Sequence, residues 1–449
     1  LSKFAHRHKT AVISFLLIAL SLIGGTAVSL WQAKQAQQQR DLAQKNEQVS
    51  VATKNFLLDL FMAAHPSKTK GDTMTVFQFL DKGYEEAEAY SGSPEIKLEM
   101  LTTIGKLYRS LGDYSKSKKV LNNAYALAKD SALQLSVSYI LAIEELALYQ
   151  RDIGNYDSAY VLMNQVLRMY SDINYPEKDS LFTASLKYQS FICKYLEKTD
   201  SAILLINKAI LLEEQLWPNF NNINLAESYH VLGVIYKNQS QYEPAIEYLT
   251  KSLNLCESLM GTNFPGTMAN LNALSGTLIL AGDYESALEQ NKRAKDIAIR
   301  LYGSEHKETA TVIDNLGGVF LKLKNYDSAY FYYKSGLDIR QNIYPGQKNQ
   351  HLMLSINNLA SLFIESQQAD SAKKYLSGAL QMSTSEKVHA RQRAFTYSLA
   401  GDYYYQLAIN DSASYFYQKS ITESMSYLPE TDERVVSVQK KLDQLNSIQ

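Results

Sequence analysis

Six polar residues stand out by their spacing. His230, Asn272, Asp314, Asn315, Asn357 and Asn358 follow one another at steps of 42 or 43 residues, singly or as adjacent pairs. A carboxamide offers two donors and an acceptor, so a row of them at a fixed interval suits hydrogen bonding to the main chain of an extended peptide. Side-chain pockets would then read the peptide sequence. Covalent chemistry finds no support. The 7 histidines are scattered, and "EHKE" at 305–308 lacks the spacing of a zinc-binding helix. No glycine-rich phosphate loop occurs, since Gly24-Gly25 lies inside an apolar run, and there is no nucleophile elbow. Cys193 and Cys256 are too few for a disulfide framework or a four-cysteine metal site, and are read as small buried hydrophobes. Lys and Arg (45) nearly cancel Asp and Glu (46), which argues against nucleic acid as the main ligand, since that requires a concentrated basic face. The expectation is a protein or peptide partner, with no nucleic acid and no cofactor in this chain.

The elements that would position these residues are legible from a repeated phrase. It reads "LGDYSKSKKVL" at 111, "IGNYDSAYVLM" at 153, "QSQYEPAIEYL" at 239, "AGDYESALEQN" at 281 and "LKNYDSAYFYY" at 323, with weaker copies at 198, 367 and 408. One small residue marks each copy: Ser117, Ala159, Ala202, Ala245, Ala287, Ala329, Ala372 and Ala413, at steps of 41 to 43. Eight copies at one period predict stacked helical units. Twelve residues before each marker stands another small residue, such as Gly105, Gly233, Gly317 or Gly401, and seven after it usually a third. Such spacing lets two antiparallel helices touch, with Leu121, Leu249 and Tyr333 filling the gap. Tyrosines at one turn position (Tyr114, Tyr156, Tyr242, Tyr284, Tyr326) read as packing. Asp113, Asp157, Asp200, Asp283 and Asp327 read as caps or first-turn acids of the second helices. The third copy departs most: Gln189 stands where a leucine is expected, and no aromatic marks its turn.

The predicted fold is an all-α, right-handed α-solenoid of about eight helix pairs over 95–429. A capping helix over 430–449 follows, with Val435, Val438, Leu442 and Leu445 on one face. The first helix of each pair lines the concave groove, where the six polar residues would sit. Ahead of it, residues 1–9 are a basic segment, and 10–31 are uncharged and long enough to cross a bilayer as one helix. The alternative for that run is a cleaved export leader, with "AVS" (27–29) as its processing site. Residues 32–64 predict a helical stalk whose Leu42, Val49 and Phe56 recur every seven residues; this is a single stripe and not a paired seam, so one helix continuing out of the span is the reading, with a homodimer as the alternative. In the linker over 65–94, Thr75 and Gln78 form a capping box before a short helix, and Ser93-Pro94 begins another.

The pattern of L-G-x-x-Y followed by two small residues resembles the tetratricopeptide repeat. Its longer period, with "LYGSEHKETATVIDNLGGVFLKLKNYDSA" (301–329) and "INNLASLF" (356–363), is similar to the kinesin-light-chain variety. That likeness implies a peptide groove lined by asparagines. Over the whole chain, the order of basic segment, apolar run, stalk and "NFLLDLFMAAHPSKTKGDTMTVFQFLDKGYEEAE" (55–88) resembles the C-terminal half of bacterial transmembrane serine/threonine protein kinases. That resemblance implies a kinase domain upstream of Leu1, and with it ATP and Mg. It also implies a cytoplasmic N-terminus, a single pass through the inner membrane and an extracytoplasmic solenoid. The alternative is a stand-alone scaffold, anchored or secreted.

Overall fold

The structure is a computed structural model. It describes residues 9–63, 75–129, 136–173, 178–219, 222–346, 350–385, 388–426 and 432–447, with isolated positions between them. Among the described residues every regular element is an α-helix. The chain divides into two compact units, Leu1–Leu216 and Trp217–Gln449.

The first unit opens with one helix, α1 (Lys9–Ala63), followed by α2 (Val76–Ala89). Three antiparallel pairs come next: α3 (Pro94–Ser110) with α4 (Tyr114–Lys129), α5 (Val137–Asp152) with α6 (Tyr156–Asp172), and α7 (Lys178–Tyr195) with α8 (Thr199–Leu216). The expected membrane span, 10–31, lies in α1, but most of its side chains fall outside the described residues. Among the described residues no helix is long and apolar enough to cross a membrane. The stalk continues the same helix. Val49 and Phe56 of the seven-residue stripe are buried together with Thr53, and α1 packs against α2 and α3. This part of the stripe is therefore covered within the chain rather than left open as a seam. The capping box forms as its residues require: Thr75 Oγ1 accepts from Gln78 N (3.2 Å) and Gln78 Oε1 from Thr75 N (2.8 Å).

The second unit has five pairs: α9 (Ile223–Asn238) with α10 (Tyr242–Met260), α11 (Pro265–Ala281) with α12 (Tyr284–Tyr302), α13 (Lys307–Lys322) with α14 (Tyr326–Ile343), α15 (Gln350–Glu365) with α16 (Ala369–Met382), and α17 (Ala390–Gln406) with α18 (Asn410–Met425). A last helix, α19 (Glu433–Asn446), buries Val435, Val438, Leu442 and Leu445 against α18.

One packing rule recurs in both units. The small residue of the first helix makes a notch, and the residue four beyond the marker fills it. A Cβ added at Gly105 would lie 2.5 Å from Leu121, and one at Gly233 would lie 2.7 Å from Leu249. At Gly317 and Gly401 the filler is a tyrosine ring, Tyr333 and Tyr417. Where serine replaces the small residue, its hydroxyl stitches the helices instead: Ser190 Oγ donates to Ala202 O at 2.8 Å and Ser275 Oγ to Ala287 O at 3.1 Å.

A second rule was not read from the sequence. Five residues before each marker the backbone is left-handed: Gly112, Gly154, Glu197, Ser240, Gly282, Lys324, Gln367 and Ala408 all have φ between 55° and 87°. The following N–H reaches back to a carbonyl five residues earlier, as from Asp113 to Tyr108 and from Ile409 to Tyr404, at 3.0 Å each. This satisfies a carbonyl of the helix's last turn and turns the chain sharply enough for the second helix to fold back. The third pair keeps this turn, through Glu197, despite its irregular sequence. Gln189 is fully buried and donates to Asn164 Oδ1 at 2.9 Å, so the polar substitution is bonded to α6 rather than left in an apolar slot.

The acids near the second helices divide into two roles. Asp113 and Asp283 are caps, accepting from Lys116 N and Ser286 N at 3.0 Å. Asp157, Asp200 and Asp327 sit in first turns, where a negative charge faces the positive helix end.

Candidate functional site

Within the second unit, each first helix touches the first helix of the next pair as well as its own partner: α9 meets α11, α11 meets α13, α13 meets α15 and α15 meets α17. These helices form one continuous face, and the six sequence-predicted residues lie on four of them.

They separate into two groups. His230 on α9, Asn272 on α11, Asn315 on α13 and Asn358 on α15 are half-buried, one per helix. Asp314 and Asn357 are buried, with 5% and 0% of their surface exposed. The expectation that these two face the groove is corrected by their bonding. Asp314 takes Arg340 Nη1 at 2.5 Å, and Ser355 Oγ lies 3.2 Å from the same carboxylate oxygen. Asn357 Oδ1 accepts from Thr396 Oγ1 at 3.0 Å. Neighbours along a helix are turned about 100° apart, so when one member of an adjacent pair enters the core the other stays on the surface.

Asp314 belongs to a polar centre that joins three helices. Arg340 of α14 is 1% exposed and donates to Asp314, to Ser355 Oγ of α15 at 2.6 Å, and to Thr311 Oγ1 of α13 at 3.2 Å. Burial pushes the Asp314 carboxyl up to about 6, against the opposing pull of Arg340 and Ser355. Gly336 leaves the room this centre needs, because a Cβ there would stand 2.0 Å from Asp314 Oδ1. Sequence reasoning missed Arg340. An arginine on a second helix looks like any exposed cation until its partner 26 residues earlier is placed beneath it.

At the other end of the face, His230 Nδ1 is 2.7 Å from Asn270 Oδ1. Asn270 Nδ2 donates to Gly266 O (3.1 Å) and lies 3.3 Å from Cys256 Sγ, so its oxygen is the acceptor and His230 Nδ1 carries the hydrogen. Burial raises the Cys256 thiol above its ordinary value, which keeps it protonated. Asn272 differs from its neighbours. Its Oδ1 is shielded from solvent and has no hydrogen-bond partner among the described residues. An orphaned buried amide oxygen costs about 1–3 kcal/mol.

The tetratricopeptide repeat family profile matches residues 98–131, 223–298 and 266–342, which are α3–α4, α9–α12 and α11–α14. The chain carries tetratricopeptide repeats. No curated protein matches the sequence. Among solved structures, a Rap protein complexed with competence and sporulation factor is 12% identical and covers 89% of this chain and 99% of its own, with a TM-score of 0.54. Aspartyl phosphate phosphatase F from Bacillus subtilis is 13% identical over 84% of this chain and 93% of its own, with a TM-score of 0.53. The TPR-like repeats of a kinesin light chain from Podosopora anserina are 16% identical and cover 47% of this chain and 98% or more of their own, at a TM-score of 0.40. At these identities the likeness is one of fold, an all-α solenoid of tetratricopeptide pairs, and the last score is too low to compare shapes.

Proposed function

We propose that this chain is a protein-interaction module whose second unit binds an extended protein segment along its first-helix face. His230, Asn272, Asn315 and Asn358 would bond the main chain of that segment, one helix at a time. The observation that carries this reading is the row itself: His230, Asn272, Asn315 and Asn358 place one half-buried polar side chain on each of four first helices that touch in succession. The Rap structure, complexed with competence and sporulation factor, lends the reading a precedent in fold alone. The site needs no cofactor, because recognition by hydrogen bonds and packing involves no bond making.

The test is site-specific photocrosslinking in the native cell. A photoreactive residue at Asn315 should give discrete adducts. One at Glu289, exposed on the second helix α12, should not. Joint replacement of Asn272 and Asn358 by alanine should abolish the Asn315 adducts. Equal adducts from both positions, or adducts indifferent to the alanines, would overturn the groove.

The wider setting we infer is a membrane-attached signalling protein, with 10–31 as the span, the pairs outside the membrane and a serine/threonine kinase domain before Leu1. It rests on the resemblance of residues 4–90 and on the uncharged run. In-frame coding sequence upstream of the Leu1 codon tests it. Glycine-rich loop, H-R-D and D-F-G motifs there support the kinase reading, and their absence leaves a stand-alone scaffold.

A further inference from the structure

A different surface of the first unit carries the ingredients of a second site. Between the second helices α6 and α8 runs an open groove of about 470 Å³, floored by Phe182 and Leu186 of α7 and walled by Leu167 and Leu205. Arg168 stands on the α6 wall and Lys208 on the α8 wall, both exposed. Among the described residues neither has an ion-pair partner, and no carboxylate lines the groove. Among the described residues the Arg168 side chain bonds through Nε alone, to Asn164 O at 3.2 Å, which leaves its two terminal nitrogens without a partner there. Lys208 lies over the Phe182 ring at 5.0 Å.

Two further polar residues line the groove: Ser171, whose Oγ donates to Arg168 O at 2.5 Å, and Asn164, which is oriented as a donor. Gln189 Nε2 donates to Asn164 Oδ1 at 2.9 Å, so Asn164 keeps its Nδ2 donor for another partner. This gives Gln189, the residue that breaks the leucine pattern of the repeat, a positioning role. Its own Oε1 is buried and unpartnered, so leucine there would remove that orphan. The groove therefore offers an apolar floor beneath donors contributed by three side chains. Exposed aliphatics extend the apolar surface along both crests: Val161 on α6 (64% exposed), Leu204 (72%) and Leu211 (56%) on α8. These lie three or four residues from Asn164 and Lys208, on the same helix faces. The surface is wider than a small molecule would cover.

We propose that this groove docks an acidic amphipathic segment of a partner protein, with its apolar side chains on Phe182 and Leu186 and its carboxylates on Arg168 and Lys208. Charge complementarity selects the occupant. Two unneutralised cations flanking an apolar floor favour carboxylates beside leucines and repel a basic helix. The site is separate in sequence and in helix type from the first-helix face of the second unit, so either can fail without the other.

The experiment uses the full chain and a fluorescent synthetic helix with leucines at positions i, i+3 and i+7 and glutamates beside them. Fluorescence anisotropy should show saturable binding that weakens with salt. The double variant R168Q/K208Q should bind about five- to tenfold more weakly, since two exposed charge pairs are removed. Q189L should weaken binding while raising thermal stability, a combination that a purely structural glutamine would not produce. A probe with glutamine in place of every glutamate should bind wild type as weakly as the acidic probe binds the double variant. Absence of saturable binding, an unaffected double variant, or equal binding of both probes would overturn the proposal. Both cations are exposed, so the double variant should keep its wild-type circular dichroism spectrum.

Discussion

The Arg340–Asp314 centre offers the sharpest test of how the second unit is held together. Replacing Arg340 by methionine keeps much of the side chain's length and removes its donors. Asp314, at 5% exposure, would then be a buried carboxylate with only Ser355 beside it. Breaking a buried pair by removing one partner costs about 3–5 kcal/mol, mostly the desolvation of the charge left behind. Three kcal/mol is a factor of about 150 in an opening equilibrium. A repeat array opens piecewise, so a global melting curve would blur this loss. Native-state hydrogen exchange resolves it: amides of α13, α14 and the start of α15 should exchange about 150-fold faster, and those of α5 and α6 at the wild-type rate. Adding Asp314→Asn to Arg340→Met should recover a large part of the protection, because it removes the stranded charge. If Arg340→Met alone costs less than tenfold, or if the double variant is worse than the two singles summed, the pair is not the organising charge centre described above.

Glu144 on α5 is 8% exposed and hydrogen-bonded to Ser185, with Glu145 beside it and Lys106 and Arg109 facing it from α3. Burial pushes its carboxyl from 4.5 to about 7. The folded state then holds a proton that the unfolded chain has released, so stability falls as pH rises from about 4.5 to 7. Glu144→Gln should relieve up to about 3 kcal/mol at pH 8 and little at pH 4.5, as read by denaturant unfolding at the two pH values. Gly401→Ala should destabilise α17 and α18 by about 1–3 kcal/mol in hydrogen exchange. Its Cβ would stand 2.4 Å from the Tyr417 ring, which is tied to Asp402 by a 2.8 Å hydrogen bond and cannot swing aside freely. Ala408→Gly should raise the stability of the same pair by about 0.5–1 kcal/mol, because Ala408 holds φ at 55° where an L side chain is crowded. Unchanged exchange in α17–α18 would show that this turn carries no strain.

Much of the fold was legible in the residue pattern because the contact that makes a helix pair is local. A notch at one position and a filler sixteen residues on, as at Gly317 and Tyr333, lie in one short stretch, and each copy repeats the rule. Caps and first-turn acids are readable for the same reason. The left-handed turn escaped notice because only three of its eight positions are glycine, while Glu197, Ser240, Lys324, Gln367 and Ala408 carry no common signal. Their conformation is imposed by the docking of the two helices rather than by residue preference.

The candidate site was only half legible. Its interval of 42 or 43 residues followed from the repeat, but that interval leaves a choice between adjacent residues about 100° apart on a helix. Tertiary packing made the choice, sending Asp314 to Arg340 and Asn357 to Thr396 and leaving Asn315 and Asn358 on the surface. It likewise covered Val49 and Phe56 with the chain's own helices and turned the irregular Gln189 into a bond to Asn164. By itself, then, the sequence determined the repeat, the pairing of helices and the interval of the polar row, because these depend on neighbours within a few turns. The tertiary structure decided which of these polar side chains are buried and which keep exposed surface, because that depends on which buried charge or amide reaches across from another helix.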